Sequence, residues 1–280
     1  MWRQGTNGWR CTAAILFTAT TAKKGWKRNC GFFDYWLKGI DNGLLTTKPV
    51  KLAIRNGAGN SFRWRWENEW PIARTVWTRH YLDASAMALR EQAFEAEASV
   101  SYTGKTGGAH FRSAPFAAVT EITGPMKARV WISSSTDDAD IFIDVRQFDE
   151  AGREVLVETT YSPKGPIAKG WLRASHRKLD AAKSTDYQPH HTHDELQKLR
   201  GGEIVALDVE IWPTSMVFPQ GSTLQLSITP VDGIAPGQFY HTDPVDRPPP
   251  VFIDGSYTIH TGGRYDSHLL LPIVPSKGNV

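Results

Sequence analysis

The sequence predicts a mostly β chain whose main part is an antiparallel jelly-roll β-sandwich, preceded by a short helix. Apolar residues recur at every second position over much of the chain, as in strands with one buried face. Gly-Pro, Asp-Gly, Gly-Gly and proline-rich breaks separate these segments at short intervals, and long helical periodicity is missing. This number of strands, with such long connections, suits a jelly roll.

The composition allows a large core and excludes two classes of partner. The chain has 280 residues, of which 40% are hydrophobic and 11% aromatic. Its formal net charge is +3 and is spread along the chain, so we expect no nucleic acid partner and no membrane partner. The longest low-charge run, Cys11 to Ala22, is shorter than the roughly 20 residues of a membrane span. It is rich in threonine and alanine, unlike a secretory signal, so we expect a cytoplasmic protein.

The first zone, residues 1–43, shows little pattern until Gly31. The segment FFDYWLKGIDNG (32–43) then predicts a short helix that ends at Gly39 or at Asn42-Gly43. Because this helix is apolar on most sides, it must pack against something, and we expect its aromatic residues to favour association. Both cysteines, Cys11 and Cys30, lie in this zone, so a disulfide between them would cross-link nothing in the main body.

The second zone, residues 44–90, resembles a connector that carries tryptophans into an interface. A strand is predicted at Val50–Ile54, and FRWRW (62–66) alternates aromatic and basic residues, which gives a strand an aromatic face and a charged face. These tryptophans suit stacking on sugar rings, as in a carbohydrate-binding module, but burial against a neighbouring domain is the favoured interpretation. The residues concerned are Trp64, Trp66, Trp70 and Trp77.

The third zone, from residue 91 to 276, is predicted to hold strand after strand. Alternating apolar residues mark strands at 127–135, 140–149 and 203–212. The stretch EIWPTSMVFPQGSTLQLSITP (210–230) predicts strand, corner and strand, with the break made by two prolines and a glycine. We expect one core to take the side chains of Ile211, Leu224, Leu226 and Ile228.

Two polar clusters are candidate metal sites. The loop QPHHTHDE supplies nitrogen and oxygen ligands, but a run this short and polar is more typical of a solvated loop. The loop STDDAD suits calcium in ligand type but lacks the EF-hand spacing, and a hairpin turn is favoured. The residues are His190, His191, His193, Asp194 and Glu195 in the first cluster, and Asp137, Asp138 and Asp140 in the second. We expect no bound metal and no cofactor.

No serine has the context of a hydrolase nucleophile. The G-x-S-x-G elbow on a strand-to-helix turn is missing around Ser61 and Ser256. The pairs Ser256 with His260 and Ser267 with His268 fall on predicted strands or turns. Residues four apart on a strand lie roughly 13 Å apart, and adjacent residues point to opposite faces. The sequence therefore predicts no catalytic residue.

Several motifs in a fixed order resemble the C-terminal part of the cocaine-esterase and X-prolyl dipeptidyl-peptidase family of serine hydrolases. They include FFDYWLKGIDNG, ENEWP, TEITGPMKARVWISSSTDDADIFIDVRQFDEAGRE, GWLRASHRKLD, HTHDE, GGEIVALDVEIWPTSMVFPQGSTLQLSITP and SHLLLPIVP, and they cover residues 31–275. The resemblance implies a galactose-binding-like jelly roll packed on an α/β-hydrolase domain that carries the Ser-Asp-His triad. It also implies that the short helix is the remnant of that domain's end. We therefore expect much of the helix's apolar area to be exposed or poorly packed, at Phe32, Phe33, Tyr35, Trp36 and Leu37.

The chain departs from the family at its N-terminus. The family's histidine precedes the segment matching FFDYWLKG, whereas residues 1–30 hold no histidine and resemble a foreign or frame-shifted lead-in. We therefore expect three parts: 1–30 atypical, 31–90 the hydrolase-domain end and linker, and 91–276 the jelly roll. The leading hypothesis is a non-catalytic accessory domain, with a catalytic domain missing or on another chain and with homo-oligomers as a further association. The alternatives are a carbohydrate-binding module and a hydrolase in its own right, which is a dipeptidyl-peptidase or esterase.

Overall fold

The computed structural model describes residues 23–59, 61–104, 106–158, 164–233 and 255–275, with the backbone alone for 23–28. The described chain is mostly β, as predicted. It has one α-helix, α1 (Lys23–Lys38), and short 3-10 turns at Leu44–Thr46 and Ala174–His176. The strands are β1 (Val50–Asn56), β2 (Phe62–Glu67), β3 (Val76–Asp83), β4 (Ala88–Arg90), β5 (Ala98–Thr103), β6 (Ala109–Ser113), β7 (Thr120–Ser134), β8 (Asp140–Phe148), β9 (Ala168–Arg173), β10 (Val205–Phe218), β11 (Thr223–Thr229), β12 (Ser256–Thr261) and β13 (His268–Val274).

Helix α1 ends where the sequence predicted but begins earlier. Gly39 follows its last residue with a φ of 70°, a left-handed conformation that glycine adopts without steric cost. The Ile40 N–H donates to the Asp34 carbonyl, which satisfies one of the free carbonyls at the helix end. The start at Lys23 lies nine residues before the predicted one. The expected change of character at Gly31 therefore falls inside a continuous helix.

Strand pairing closes the sheet into a ring. The order runs β10-β9-β8-β11-β6-β4-β3-β13-β7, and β7 pairs again with β10. Strands β1 and β2 extend from β10, and β12 and β5 extend from β7. Most pairs are antiparallel as predicted, but β1 with β10 and β4 with β6 are parallel. The expected connector therefore contributes four strands, two of them within the ring.

The long strand β7 shows why apolar residues at every second position indicate a strand with one buried face. Met126, Ala128, Val130 and Ile132 are fully buried, while the residues between them face outward. The alternation puts one complete apolar face toward the core of the ring. The predicted inward residues of the corner segment join the same core, with Ile211, Leu224, Leu226 and Ile228 all at most 1% exposed.

The corner segment has one break fewer than predicted, because the chain does not break at Pro213. Strand β10 runs through Pro213, and the pairing with β7 shifts register between Ile211 and Thr214. A bulge accommodates the proline, which has no N–H to donate to the ladder. The chain turns only at Pro219–Ser222, where the Ser222 N–H donates to the Pro219 carbonyl.

Candidate functional site

Helix α1 presents an apolar face that the described chain leaves largely uncovered. Phe33, Trp36 and Leu37 are 51%, 46% and 76% exposed. Phe32 and Tyr35 are half-buried, mainly by ring contacts within the helix. The helix is tied to the turn after it, where the Asn42 side chain donates to the Gly31 carbonyl at 2.7 Å. The expected exposure of this surface is confirmed.

The tryptophans of the second zone differ in burial. Trp64 is 39% exposed, and the Lys51 ammonium lies 4.5 Å from its ring centre and 5.2 Å from that of Trp66. Trp70 packs on a small core of β1 residues, and Trp77 stacks on Tyr187 with ring centres 4.4 Å apart. Partial burial by the chain itself therefore accounts for three of the four. The sugar-binding alternative stays a prediction at Trp64, where Lys51 occupies part of the ring face.

The opposite face of β2 carries the predicted charges, and they form a network. Arg65 makes a bidentate contact to Glu121, with N–O distances of 2.5 and 2.7 Å. Arg74 makes a similar contact to Glu67, at 2.6 and 2.9 Å. Glu67 also lies 2.7 Å from the Arg65 Nε atom, and its own side chain is only 6% exposed. Hydrogen bonds from the Arg74 guanidinium to Glu67 raise the pKa of Arg74. The network fixes β2 to the start of β7.

The histidine-rich loop divides its polar groups between different partners. The Nδ1 atoms of His193 and His176 lie 3.1 Å apart, and the His191 and His193 ring centres lie 5.8 Å apart. The carboxylates of Asp194 and Glu195 instead contact a lysine, Lys178, at 3.2 and 2.9 Å. Burial and the nearby His193 lower the pKa of His191. His176 was missed by sequence reasoning because it lies 17 residues away, on the 3-10 turn after β9.

The acidic loop after β7 uses its carboxylates as anchors. Asp138 is fully buried, and it accepts hydrogen bonds from Arg173 Nε at 2.6 Å and from the Ser175 and Ala139 N–H groups at 2.9 Å. Burial alone would raise the pKa of Asp138, but the bonds from Ser175 and the charge of Arg173 outweigh it and hold that pKa below its ordinary value. The lysine Lys198 lies 3.6 Å from Asp137. Such partners suit an anchored turn rather than a calcium cage.

The predicted hairpin between β7 and β8 is wrong, although the turn is present. Strand β7 pairs with β10, β12 and β13, whereas β8 pairs with β9 and β11. The loop that holds Asp138 therefore carries the chain from one part of the ring to another. Across the described ranges, no group of three or more histidine, cysteine, aspartate or glutamate side chains is arranged to hold a metal ion.

The serine–histidine pairs considered from the sequence are not partners. Ser267 is 1% exposed, and its hydroxyl donates to the His260 carbonyl at 2.7 Å. The His268 Nδ1 atom lies 2.6 Å from the Asp266 carbonyl. His260 Nε2 instead lies 2.9 Å from the Ser133 hydroxyl, on the neighbouring strand. Only the register of β12 against β7 reveals this contact, since the two residues are 127 positions apart.

The Ser133–His260 contact lacks the surroundings of a hydrolase nucleophile. Ser133 lies within β7, beside its partner strand β12, and not at a strained strand-to-helix turn. Burial lowers the pKa of His260, although the charge of Glu97 opposes the shift. Activation of a serine also needs a group that orients the base and donors for the oxyanion. The Ser133–His260 contact is therefore a cross-strand hydrogen bond.

Within the part of the chain that the structure describes, no helix is long and apolar enough to cross a membrane.

Comparison with known proteins gives the family. The family described as "X-Pro dipeptidyl-peptidase C-terminal non-catalytic domain" matches residues 42–270. A hydrolase of the CocE/NonD family from Staphylococcus aureus has a solved structure that is 29% identical, with a TM-score of 0.83 over 91% of this chain and 47% of that chain. An α-amino acid ester hydrolase shares the fold at 14% identity, with a TM-score of 0.59.

The curated relatives are named as esterases, in agreement with the family match, and they are much longer than this chain. A protein of Mycobacterium bovis named as a candidate serine esterase is 26% identical over 72% of this chain. The chain spans 35% of that relative's length and about half of the solved Staphylococcus aureus chain. The family match at residues 42–270 covers most of the described strands, and the family is described as non-catalytic. The chain thus belongs to the X-Pro dipeptidyl-peptidase C-terminal non-catalytic domain family, the accessory domain of CocE/NonD-type hydrolases.

Proposed function

We propose that this domain packs against an α/β-hydrolase catalytic domain that acts on esters or X-Pro peptides, and that it helps to shape the substrate cleft. That catalytic domain lies on another chain or outside these 280 residues. The solved and curated relatives support this, since each has length beyond the part this chain matches. The whole protein then carries the acyl-transfer chemistry, while these residues contribute binding surface.

The exposed face of α1 is the observation that carries the proposal. An amphipathic helix whose aromatic residues stay largely exposed loses the free energy of burial unless a partner covers it. Trp36 and Leu37 lie on this face with Phe33, and about half or more of each side chain is exposed. The main neighbour of α1 in the described chain is the 3-10 turn at Leu44–Thr46, so the helix is free to pack against a second domain. An aromatic and leucine surface of this kind is typical of interface cores.

The ring of strands supports a flattened jelly roll of the galactose-binding-like kind. Two thin joints divide the ring, since β9 meets β10 at one residue pair and β4 meets β6 at two. On one side lie β10, β7, β13, β3 and β4, and on the other lie β9, β8, β11 and β6. Connections such as β7 to β8 and β10 to β11 cross between the two sides, as the strands of a jelly roll do.

The division into 1–30, 31–90 and 91–276 is retained as a proposal with one change. Strands β3 and β4 pair within the ring, and β1 pairs with β10. These pairings support an accessory domain that begins ahead of residue 91, near residue 42, where the family match begins. Residues 31–41 then form the junction with the catalytic domain. The proposed lead-in at 1–30 lies mostly outside the described residues.

A hybrid enzyme tests the proposed docking. The part of the Staphylococcus aureus hydrolase that this chain does not match is joined to residues 31–275, and ester hydrolysis and thermal unfolding are measured. We expect a folded, active hybrid with a single cooperative unfolding transition. In a double variant with Trp36→Ser and Leu37→Ser, the transition should split in two and activity should fall, because the interface loses its largest apolar contacts.

The matched control is Leu196→Ser, a leucine 46% exposed just after the histidine-rich loop and remote from α1 in sequence. This change should leave both activity and the single transition intact. A hybrid whose two parts unfold independently, with the same activity in wild type and in the double variant, would contradict the docking proposal.

A further inference from the structure

A cleft of about 340 Å³ lies between the charged face of β2 and the ends of three core strands. Arg63, Arg65 and Arg74 line one side. The other side is formed by the strand ends, where Glu121 lies between its partners Val217 of β10 and Val274 of β13, with Val119 just ahead of it in the chain. A cavity of this size is within the range of small-ligand sites, which combine apolar walls with a few fixed polar groups.

The charges of the cleft do not balance. Glu121 neutralises Arg65 through the bidentate contact, and the buried Glu67 behind them neutralises Arg74. Among the described residues, Arg63 has no ion-pair partner. It points to the same side of β2 as Arg65, two residues further along the strand. The cleft therefore keeps one uncompensated positive charge beside guanidinium groups that are already fixed in position.

A second polar group in the cleft is also unused. The Nε atom of Arg74 is buried and has no hydrogen-bond partner in the described chain. Leaving such a donor unpaired costs free energy, which adds to the local excess of positive groups. Both arginines line the cleft, and Arg63 is the one whose side chain is exposed to an incoming anion.

The valines of the cleft favour a ligand that also has an apolar part. Val119 is 68% exposed at the rim, an unusual exposure for a β-branched apolar residue in the segment leading into a core strand. Val217 is half-buried beside it, at the end of β10. A purely polar anion would leave this wall in water, whereas a short hydrocarbon chain would cover it.

We propose that this cleft binds a small monocarboxylate with a short hydrocarbon chain, held by Arg63 at the carboxylate and by the valines along the chain. The guanidinium fork matches a carboxylate in a bidentate manner, as the Arg65–Glu121 contact already shows within the same cleft. The inference does not depend on the catalytic domain, since every contact comes from the described residues.

The test uses the full 280-residue chain and hexanoate as the probe, in a buffer without carboxylates. Titration followed by calorimetry and by amide chemical shifts should show saturable binding in the low millimolar range. Hexanamide, which has the same chain but no charge, should bind at least about tenfold more weakly, because it loses the charge-assisted hydrogen bonds. Binding of hexanoate should also weaken as salt is added.

Variants locate the site. Arg63→Gln should weaken hexanoate binding about tenfold, and Val119→Asp should weaken it further by placing a negative charge at the rim. The control is Arg153→Gln, an arginine 81% exposed that pairs with Asp149 in a turn away from the cleft. Unfolding curves establish that each variant is folded. The proposal is overturned if hexanoate does not saturate the wild-type chain, if hexanamide binds equally well, or if Arg63→Gln binds like Arg153→Gln.

Discussion

Replacement of Leu226 by alanine tests the register of the core directly. Leu226 is fully buried on β11, where it lies between Val145 of β8 and Phe111 of β6. The change removes three carbon atoms, which corresponds to about 2.4 kcal/mol at about 0.8 kcal/mol per methylene. The cavity left in a close-packed core adds to this, so we expect a loss of about 2–5 kcal/mol in the free energy of unfolding.

The assay is equilibrium unfolding in urea, followed by tryptophan fluorescence and by circular dichroism. The matched control is Leu196→Ala, the same chemical change at a side chain 46% exposed, which should alter the free energy by less than about 0.5 kcal/mol. An unchanged slope with a shifted midpoint would show that stability, and not compactness, has changed. A loss below about 0.5 kcal/mol for Leu226→Ala would refute the assigned register.

Three further predictions follow from particular contacts. Since the pKa of Asp138 is held low in the folded state, the stability that its carboxylate contributes is present above the unfolded pKa of about 3.9 and is lost as the pH falls through the folded value. Asp138→Asn should therefore destabilise the chain at pH 7 and make its stability fall less steeply in acid. An unchanged acid dependence would count against the anchoring role of Asp138. Gly170→Ala should lower the unfolding midpoint, because an added Cβ would lie 2.3 Å from the Glu210 carbonyl oxygen, whereas Gly152→Ala, which has open space but a φ of 76°, should cost only the smaller strain of its backbone. The purified chain should neither hydrolyse esters nor X-Pro peptides above buffer, nor react with a fluorophosphonate probe; stoichiometric labelling of one serine, lost when that serine becomes alanine, would make the chain an enzyme in its own right.

The strands could be predicted from sequence because their burial alternates. In β8, Ile141, Ile143 and Val145 are buried as the pattern indicated, and the strand ends within one residue of its predicted limit. The same pattern also assigns Asp144 to the solvent side, where the structure finds it only 6% exposed and bound to Arg146 at 2.5 Å. Burial raises the pKa of Asp144, although Arg146 opposes the shift. Periodicity identifies the two faces of a strand, but not what covers the outer one.

Contacts between distant strands could not be predicted. The Ser133–His260 bond and the Arg65–Glu121 pair depend on which strands are neighbours and in what register. A shift of one residue would turn each of these side chains to the opposite face. The bulge at Pro213 was misread for a related reason, since a proline within a long strand gives the same letters as a proline at a corner.

The thin joints of the ring also determine how the domain opens. Strands β9 and β10 share a single residue pair, Ile211 with Gly170, and the Thr214 hydroxyl bridges the same gap to the Ile167 carbonyl at 2.9 Å. By contrast, β7 and β10 pair over most of their length. Native-state hydrogen exchange should therefore find that the amides at the β9–β10 joint open at a lower free energy, with the amides of the β7–β10 ladder exchanging only on global unfolding. Opening of this joint would expose the core that both sides of the ring share.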